Sequence, residues 1–396
     1  MVDSPANPFR PGAGHMPPYL AGRQHEFDEF KKLLRQDVIL HNLVLTGLRG
    51  VGKTVLLDTL KPLAQQAGWL WVGTDLSEAM TLTEERIAVR LITDLAVVTS
   101  SLTIARVPGF GFAHVDEKLD FDTMLGFFNK TNGLIADKLK ALLEFVWLCL
   151  QKHGVRGVIF AYDEAQNMSD HAAKEEYPLS LLLEVFQSIQ KKNIPFMLVL
   201  VGLPTLYPKL VETRTFAERM FRVLFLDRLS DQDSVDAVQK PIQRAKPLVK
   251  FSKETVRAIV AASGGYPYFL QFFGREVCDA YLQKIQRGRK PQVHLVEITR
   301  KLDSDFYAGR WAKVTDRQRD LLAVAARLKN ADCEFTVQEI AAASKHWLTR
   351  PFSPSHISQM LLKLAEAGLV YKNRHGKYSY AVPLFGQFIL RQLGNG

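Results

Sequence analysis

Residues Gly47-Leu48-Arg49-Gly50-Val51-Gly52-Lys53-Thr54 match the pattern GxxxxGK[ST] at every required position. No other stretch constrains the fold as tightly, because the pattern functions only between the end of a buried strand and the start of a helix. Its glycines let the backbone curl so that successive N–H groups point inward at phosphate oxygens. The helix that follows adds its positive N-terminal end. In that setting Lys53 reaches the β- and γ-phosphates and the Thr54 hydroxyl ligates Mg2+. Leu48, Arg49, Val51 and Val55 complete the cradle. The flanks agree: Asn42–Thr46 is a short apolar run that reads as a buried strand, and Lys53–Ala67 has a helical pattern.

The rest of the N-terminal half repeats this alternation. Strand-like runs at Gly68–Val72, Val158–Tyr162 and Phe196–Val201 are each preceded by a helical pattern, and a further helix is expected over Gln24–Leu40. Strands alternating with helices at these lengths predict an α/β fold, a parallel sheet with helices on both faces. Before it, the prolines and glycines of residues 1–18 exclude a helix or inner strand and predict an extended arm. Residues 100–130 read as a loop or insertion. After Leu226 the strands cease, and Asp231–Arg244 and Lys253–Ser263 read as helices.

Val158–Tyr162 runs straight into Asp163 and Glu164. A buried strand that ends in carboxylates is costly unless they serve a cation or a proton. With the phosphate loop upstream, Asp163 is expected in the Mg2+ shell and Glu164 as the base that polarises the attacking water.

Composition excludes several classes. With 47% hydrophobic and 23% charged residues the chain has the composition of a globular protein and is not disordered along its whole length. Three cysteines, Cys149, Cys278 and Cys333, lie far apart without metal-ligand spacing, which argues against a disulfide framework and for a reducing, cytoplasmic setting. No apolar run reaches the roughly 18 residues of a membrane span, and the N-terminus lacks the pattern of a signal peptide. The net charge of +10 is unevenly placed: residues 1–240 carry −3 and residues 241–396 carry +13. An excess of that size concentrated at one end points to a polyanionic partner for that end.

Tyr19-Leu-Ala-Gly-Arg23-Gln-His-Glu26, then the phosphate loop, then an apolar strand ending Asp-Glu, resembles the AAA+ ATPases. The closer likeness is to origin-recognition-like archaeal and bacterial ATPases and to the STAND signalling ATPases. The resemblance implies that Tyr19, Leu20 and Arg23 lie against the adenine. It also implies that Phe216–Arg222 supplies an arginine to a neighbouring subunit's nucleotide, with Arg219 preferred over Arg222 and Arg214. Two departures imply slow hydrolysis. Gly202-Leu-Pro-Thr205 lacks the asparagine that senses the γ-phosphate. The lid segment Ser263-Gly-Gly-Tyr-Pro267-Tyr268 lacks the initiators' arginine, resembles instead the STAND Gly-x-Pro signature with Pro267 near the nucleotide, and leaves Arg275 as a partial substitute.

From Thr315 the pattern changes. Thr315-Asp-Arg-Gln318 and Thr336-Val-Gln-Glu339 are capping boxes, and Ser353-Pro354 opens a third helix that stops at Gly368. Leu369–Lys372 and Tyr378–Val382 then read as a hairpin turning at Asn373–Gly376. Three helices followed by a hairpin predict a winged helix. Its third helix would present Ser355, His356, Ser358, Gln359 and Lys363 outward, with Lys372, Arg374, His375 and Lys377 on the hairpin for phosphates. The absence of a dominant Arg or Asn pair predicts modest sequence preference. The basic stretch Gln283–Lys290 precedes this domain.

These readings converge on an arm (1–18), an ATPase core (19–226), a helical lid with basic linker (227–305) and a winged-helix domain (306–396). The expected function is a cytoplasmic ATPase that uses ATP and Mg2+, hydrolyses slowly, and controls binding to duplex DNA or homo-oligomeric assembly through its nucleotide state. The alternative is a STAND-like signalling or defence switch driven by ATP/ADP exchange, whose winged helix packs against protein; a third reading is a helper for a mobile element or a defence system with the same architecture.

Overall fold

The computed structural model describes residues 7–102, 118–245, 249–290, 295–329, 334–374 and 376–394. The expectations for Cys333, His375 and residues 103–117 lie outside these, as does the Arg374 side chain. Two compact units result. One comprises residues 23–46 and 53–225, the other residues 1–22, 47–52 and 226–396.

The first unit holds β1 (Asn42–Gly47), β2 (Trp69–Val72), β3 (Gly157–Tyr162), β4 (Phe196–Gly202) and β5 (Phe221–Leu226) in the spatial order β2-β3-β4-β1-β5. The pairs β2–β3, β3–β4 and β4–β1 are parallel, with Ile159 opposite Trp71 and Met197, and Val44 opposite Leu200. Every residue of β1, β3 and β4 is buried, as expected of strands covered on both faces. The helices are α1 (Gln24–Leu34), α2 (Lys53–Gln66), α3 (Glu84–Thr99), α4 (Phe121–Lys130), α5 (Ile135–Leu150), α6 (Pro178–Lys191), α7 (Leu206–Thr213) and α8 (Ala217–Met220). Phe160 ties β3 into this core, 5.0 Å from the ring of Phe186 and 5.6 Å from that of Phe196.

One buried polar cluster fixes the register at the base of the sheet. Asn42 accepts from the N–H of Leu198 at 2.7 Å and from Gln190 Nε2 at 2.9 Å, and its amide donates to the Met220 carbonyl at 3.3 Å. Buried amides persist only when paired in this way.

Two local expectations are corrected, and one candidate is placed. The first helix stops at Leu34, not Leu40, because Gln36 takes over the chain's polar groups: its Oε1 accepts from the N–H of Leu40 and His41 at 3.0 and 2.9 Å. The stretch 100–130 contains α4, opened by Asp120, whose side chain accepts from the Thr123 N–H. Arg222 stands on strand β5, one element beyond the short helix that carries Arg219.

The second unit contains α9 (Asp231–Ala245), α10 (Lys253–Ser263), α11 (Pro267–Gln286), α12 (Leu295–Leu302), a π-helical turn Asp303–Tyr307, α13 (Ala308–Trp311), α14 (Asp316–Ala326), α15 (Val337–Trp347), α16 (Pro354–Glu366) and α17 (Phe385–Gly394). A small antiparallel sheet, β6 (Phe335–Thr336), β7 (Val370–Arg374) and β8 (Lys377–Tyr380), runs in the order β6-β8-β7. Both capping boxes form, and Ser353 caps α16 by accepting from His356. One apolar core extends from Phe9 in the arm to Ile389 in α17. Phe9 is fully buried against Gly274 of α11, where a Cβ would come within 2.5 Å of its ring. Tyr307 is equally buried and donates its hydroxyl to the Pro383 carbonyl at 2.8 Å.

Candidate nucleotide site

Strand β1 delivers the chain into the glycine loop, and the loop's geometry needs those glycines. Gly50 and Gly52 adopt φ of 78° and 89°, a region in which a side chain is strained. Gly47 is pressed so closely on the Leu226 carbonyl that a Cβ would lie 2.3 Å from its oxygen. The lid segment meets the loop directly. The Tyr268 N–H donates to the Gly50 carbonyl at 3.1 Å, and Pro267, the first residue of α11, lies 4.0 Å from where a Gly52 Cβ would be. Of the other loop residues, Val51 is buried, Leu48 is half-buried and Arg49 is exposed.

Beyond the loop, α2 opens with Lys53 and Thr54. The Thr54 hydroxyl donates to Asp163 Oδ2 at 2.6 Å. Asp163 is held on its backbone as well, donating to the Thr74 carbonyl and accepting from the Leu76 N–H at 3.2 and 2.9 Å, while its Oδ1 accepts from the Glu164 N–H at 2.7 Å. Burial pushes its carboxyl above the ordinary aspartate range, opposed by the bonds from Thr54 and Glu164 and by the charge of Lys53. The charged form therefore lacks full compensation, and a cation would supply it. One buried carboxylate beside one hydroxyl is a hard-oxygen donor pair. Among the described residues no three His, Cys, Asp or Glu side chains gather as a closed metal cage. That combination fits Mg2+, which keeps waters and substrate phosphates in its shell.

Glu164 is exposed and takes a left-handed backbone with φ 52°. Its carboxylate accepts from Gln166 Nε2, while Gln166 Oε1 accepts from the Leu203 N–H at 3.0 Å. The Leu203 carbonyl accepts from the Thr46 hydroxyl at 2.9 Å. Gln166 thus joins the candidate base to the ends of β4 and β1. Lys209 supports the same loop, donating to the carbonyls of Gln166 and Met168 at 2.6 and 3.2 Å and to Ser169 Oγ at 2.8 Å. With no carboxylate among these partners, burial pulls its pKa below the ordinary lysine value. Sequence reading missed Gln166 and Lys209. The only local signal was an amide two residues beyond Glu164.

The base-pocket candidates have these surroundings within their own units. Lys240 Nζ and the Arg244 guanidinium lie 4.4 and 4.8 Å from the centroid of the Tyr19 ring, whose hydroxyl accepts from Lys240 Nζ at 2.7 Å. Leu20 is half-buried. Arg23 sits at the start of α1 with φ 72° and pairs with Glu26 at 3.3 Å. Among the arginine candidates, Arg222 is bound to Glu29 at 2.8 Å and Arg214 lies 3.8 Å from Glu184. Arg219 is exposed and forms no ion pair among the described residues. Arg275 lies 3.8 Å from Asp279 on its own helix.

In the C-terminal region, Ser355, His356, Ser358, Gln359 and Lys363 are all exposed on α16, with Ile357, Met360, Leu361 and Leu364 buried beneath them. Lys372 is exposed, and Lys377 lies 3.8 Å from Glu334.

Residues 41–210 match the family model described as an AAA domain, and residues 304–389 match a domain of unknown function, DUF8462. None of the curated proteins matches the sequence. Among solved structures, the Walker-type ATPase paby2304 of Pyrococcus abyssi aligns at 15% identity with a TM-score of 0.57, covering 94% of this chain and 96% of that one. The Aeropyrum pernix ORC2 protein in its ADPNP–ADP complexes aligns at 13% identity and a TM-score of 0.55, covering 97% and 96%. Its ADP form gives 13% and 0.56, covering 97% of both chains. The fold is that of origin-recognition-like P-loop ATPases: a parallel sheet flanked by helices, followed by a mostly helical C-terminal region.

Proposed function

We propose, from that fold as premise, that the chain binds and slowly hydrolyses MgATP and that its nucleotide state controls DNA binding or assembly through the C-terminal region. The observation that carries the reading is the 2.6 Å bond between Thr54 and Asp163 directly beyond the glycine loop, which brings the two proposed Mg2+ ligands together. Lys53 binds the β- and γ-phosphates and the loop N–H groups orient them. Bound Mg2+ supplies charge neutralisation on the phosphates. Glu164, held by Gln166, takes the proton of the attacking water. Arg219 stabilises the developing charge on the transferred phosphoryl group from an adjacent subunit. That the A. pernix ORC2 protein was solved with ADPNP and ADP supports nucleotide as the ligand of this fold.

For DNA, the support is the +13 carried by residues 241–396 and the exposed polar face of α16 beside Lys372. We assign these elements to a winged helix that grips the duplex by its phosphates. Titration of the full-length protein with duplex DNA tests it. Affinity should fall steeply with salt as counterions are released. Replacing Lys363, Lys372 and Lys377 with alanine should weaken binding to all sequences alike and flatten the salt slope. Undetectable binding at low salt would leave the second reading, a nucleotide-driven switch with a protein-packing C-terminal domain. That reading is favoured by the bond from Tyr268 to Gly50, which fastens the lid to the loop itself.

A further inference from the structure

Arg310 lies on the short helix α13, far from the loop in sequence, yet a continuous run of contacts connects them. The Gly50 carbonyl accepts from the Tyr268 N–H at 3.1 Å, and the Tyr268 ring lies 5.3 Å from that of Phe306. The Arg310 guanidinium covers the other ring, 4.6 Å from the Phe306 centroid, and its Nη1 donates to the Phe306 carbonyl. The loop's own arginine reaches toward the end of α16, where a Cβ at Gly368 would lie 3.7 Å from Arg49 Nη2. Neither arginine forms an ion pair with a carboxylate among the described residues. The pKa of the half-buried Arg310 is lowered first by burial and next by the like charge of Arg49. A partly desolvated guanidinium ordinarily sits against an anion. Here no carboxylate among the described residues pairs with it and the like charge of Arg49 adds to the cost of burial, so an anion bound at the phosphate loop would relieve both.

We propose that Arg310, together with Arg49, binds the terminal phosphates of a nucleoside triphosphate held by Gly47–Thr54, and so transmits the charge of the nucleotide to residues 304–389. The proposal rests on the nucleotide reading above. It assigns the task of the arginine missing from Ser263–Tyr268 to a different position in the chain. A triphosphate carries more negative charge than a diphosphate, so the pair discriminates between them. The segment that presents Arg310 is firmly anchored, by the Tyr307 hydroxyl on Pro383 at 2.8 Å and by the Asp303–Arg391 ion pair at 2.6 Å. Binding is therefore felt by the whole C-terminal core.

The test is calorimetric titration of the full-length protein with ADPNP and with ADP. Arg310→Met keeps the aliphatic stem on Phe306 and removes the charge; Arg310→Lys restores it. Arg310→Met should weaken ADPNP by about tenfold, the scale of one charge-assisted hydrogen bond. ADP should weaken less, and Arg310→Lys should recover part of the difference. The ligand-free Tm of Arg310→Met should equal or exceed that of wild type, because removing the charge relieves repulsion from Arg49. Affinities for both nucleotides indistinguishable from wild type would overturn the proposal. So would equal losses for ADPNP and ADP accompanied by a lower ligand-free Tm, which is the signature of a packing role. Lys53→Ala separates the two levels: if it binds ADPNP as wild type does, the nucleotide reading itself fails, whatever Arg310 does.

Discussion

Gly202 closes β4 without a side chain, and the space it leaves is occupied by Gln166. A Cβ there would come within 2.5 Å of Gln166 Oε1 and 3.0 Å of Leu206 Cδ2. In Gly202→Ala the flexible amide must therefore withdraw. It then abandons the Leu203 N–H, which it accepts at 3.0 Å, and with it the carboxylate of Glu164. A partly buried N–H left without its partner costs about 1–3 kcal/mol. Alanine in place of glycine within a strand returns roughly 0.5–1 kcal/mol. The net loss expected in urea denaturation is about 0–2.5 kcal/mol. The functional effect should be larger. Misplacing a catalytic group by about 1 Å can cost on the order of a hundredfold in rate, while nucleotide affinity should hold because the loop and Lys53 are untouched. Gln166→Ala should reproduce the turnover defect, and the double variant should be no slower than Gln166→Ala alone, because both substitutions break one linkage. Steady-state ATPase assays with nucleotide titrations decide it. Turnover of Gln166→Ala at the wild-type rate, or defects that multiply in the double variant, would refute the reasoning.

Asp163 makes a pH-dependent prediction. Burial raises its carboxyl above the unfolded value of about 3.9, so its contribution to stability is fully present below that pH and is lost as pH rises through the higher folded value. Ligand-free Asp163→Asn should therefore gain stability relative to wild type between about pH 4 and pH 7; a difference that is constant across this range in urea melts would contradict the assignment. At the base of the sheet, Asn42→Ala strands the buried Leu198 N–H and removes one of two acceptors from Gln190 Nε2, which keeps the Phe196 carbonyl at 2.7 Å; this should cost about 1–3 kcal/mol by urea denaturation. A loss below about 0.5 kcal/mol, the scale of an ordinary surface substitution, would show that the cluster does not set the register.

What was legible in the sequence was what neighbouring residues decide among themselves. The glycine loop, the apolar run into Asp163, both capping boxes and the Ser353–Pro354 helix start are each set within a few residues of one another, and each formed. The division of α16 into a buried and an exposed face was equally legible, because helical periodicity alone separates Ile357, Met360 and Leu364 from Ser355, Gln359 and Lys363. The misplaced features depend on partners remote in sequence or on competition at an element's end. Gln36 stops α1 by capturing the N–H groups of Leu40 and His41, which a periodicity reading of Gln24–Leu40 does not weigh. The approach of Lys240 and Arg244 to the Tyr19 ring is likewise set by residues remote in sequence. Gln166, Lys209 and Arg310 carry no motif at all. Their partners are supplied by the fold: the end of β4 brings the Leu203 N–H to Gln166, α7 carries Lys209 to the carbonyls of Gln166 and Met168, and the π-helical turn sets Phe306 beneath Arg310. Gly274, an ordinary helical glycine by sequence, is required by a phenylalanine from the arm.

The central claim is that Gly47–Thr54 with Asp163 forms a working MgATP site. Thermal unfolding of the full-length protein with and without MgATP tests it most directly, since a ligand that binds only the folded state raises Tm with concentration. Wild type should show a Tm that climbs with MgATP, and Lys53→Ala, with an unchanged ligand-free Tm, should show no climb. A wild-type protein indifferent to MgATP, or a Lys53→Ala variant stabilised as much as wild type, would contradict the account.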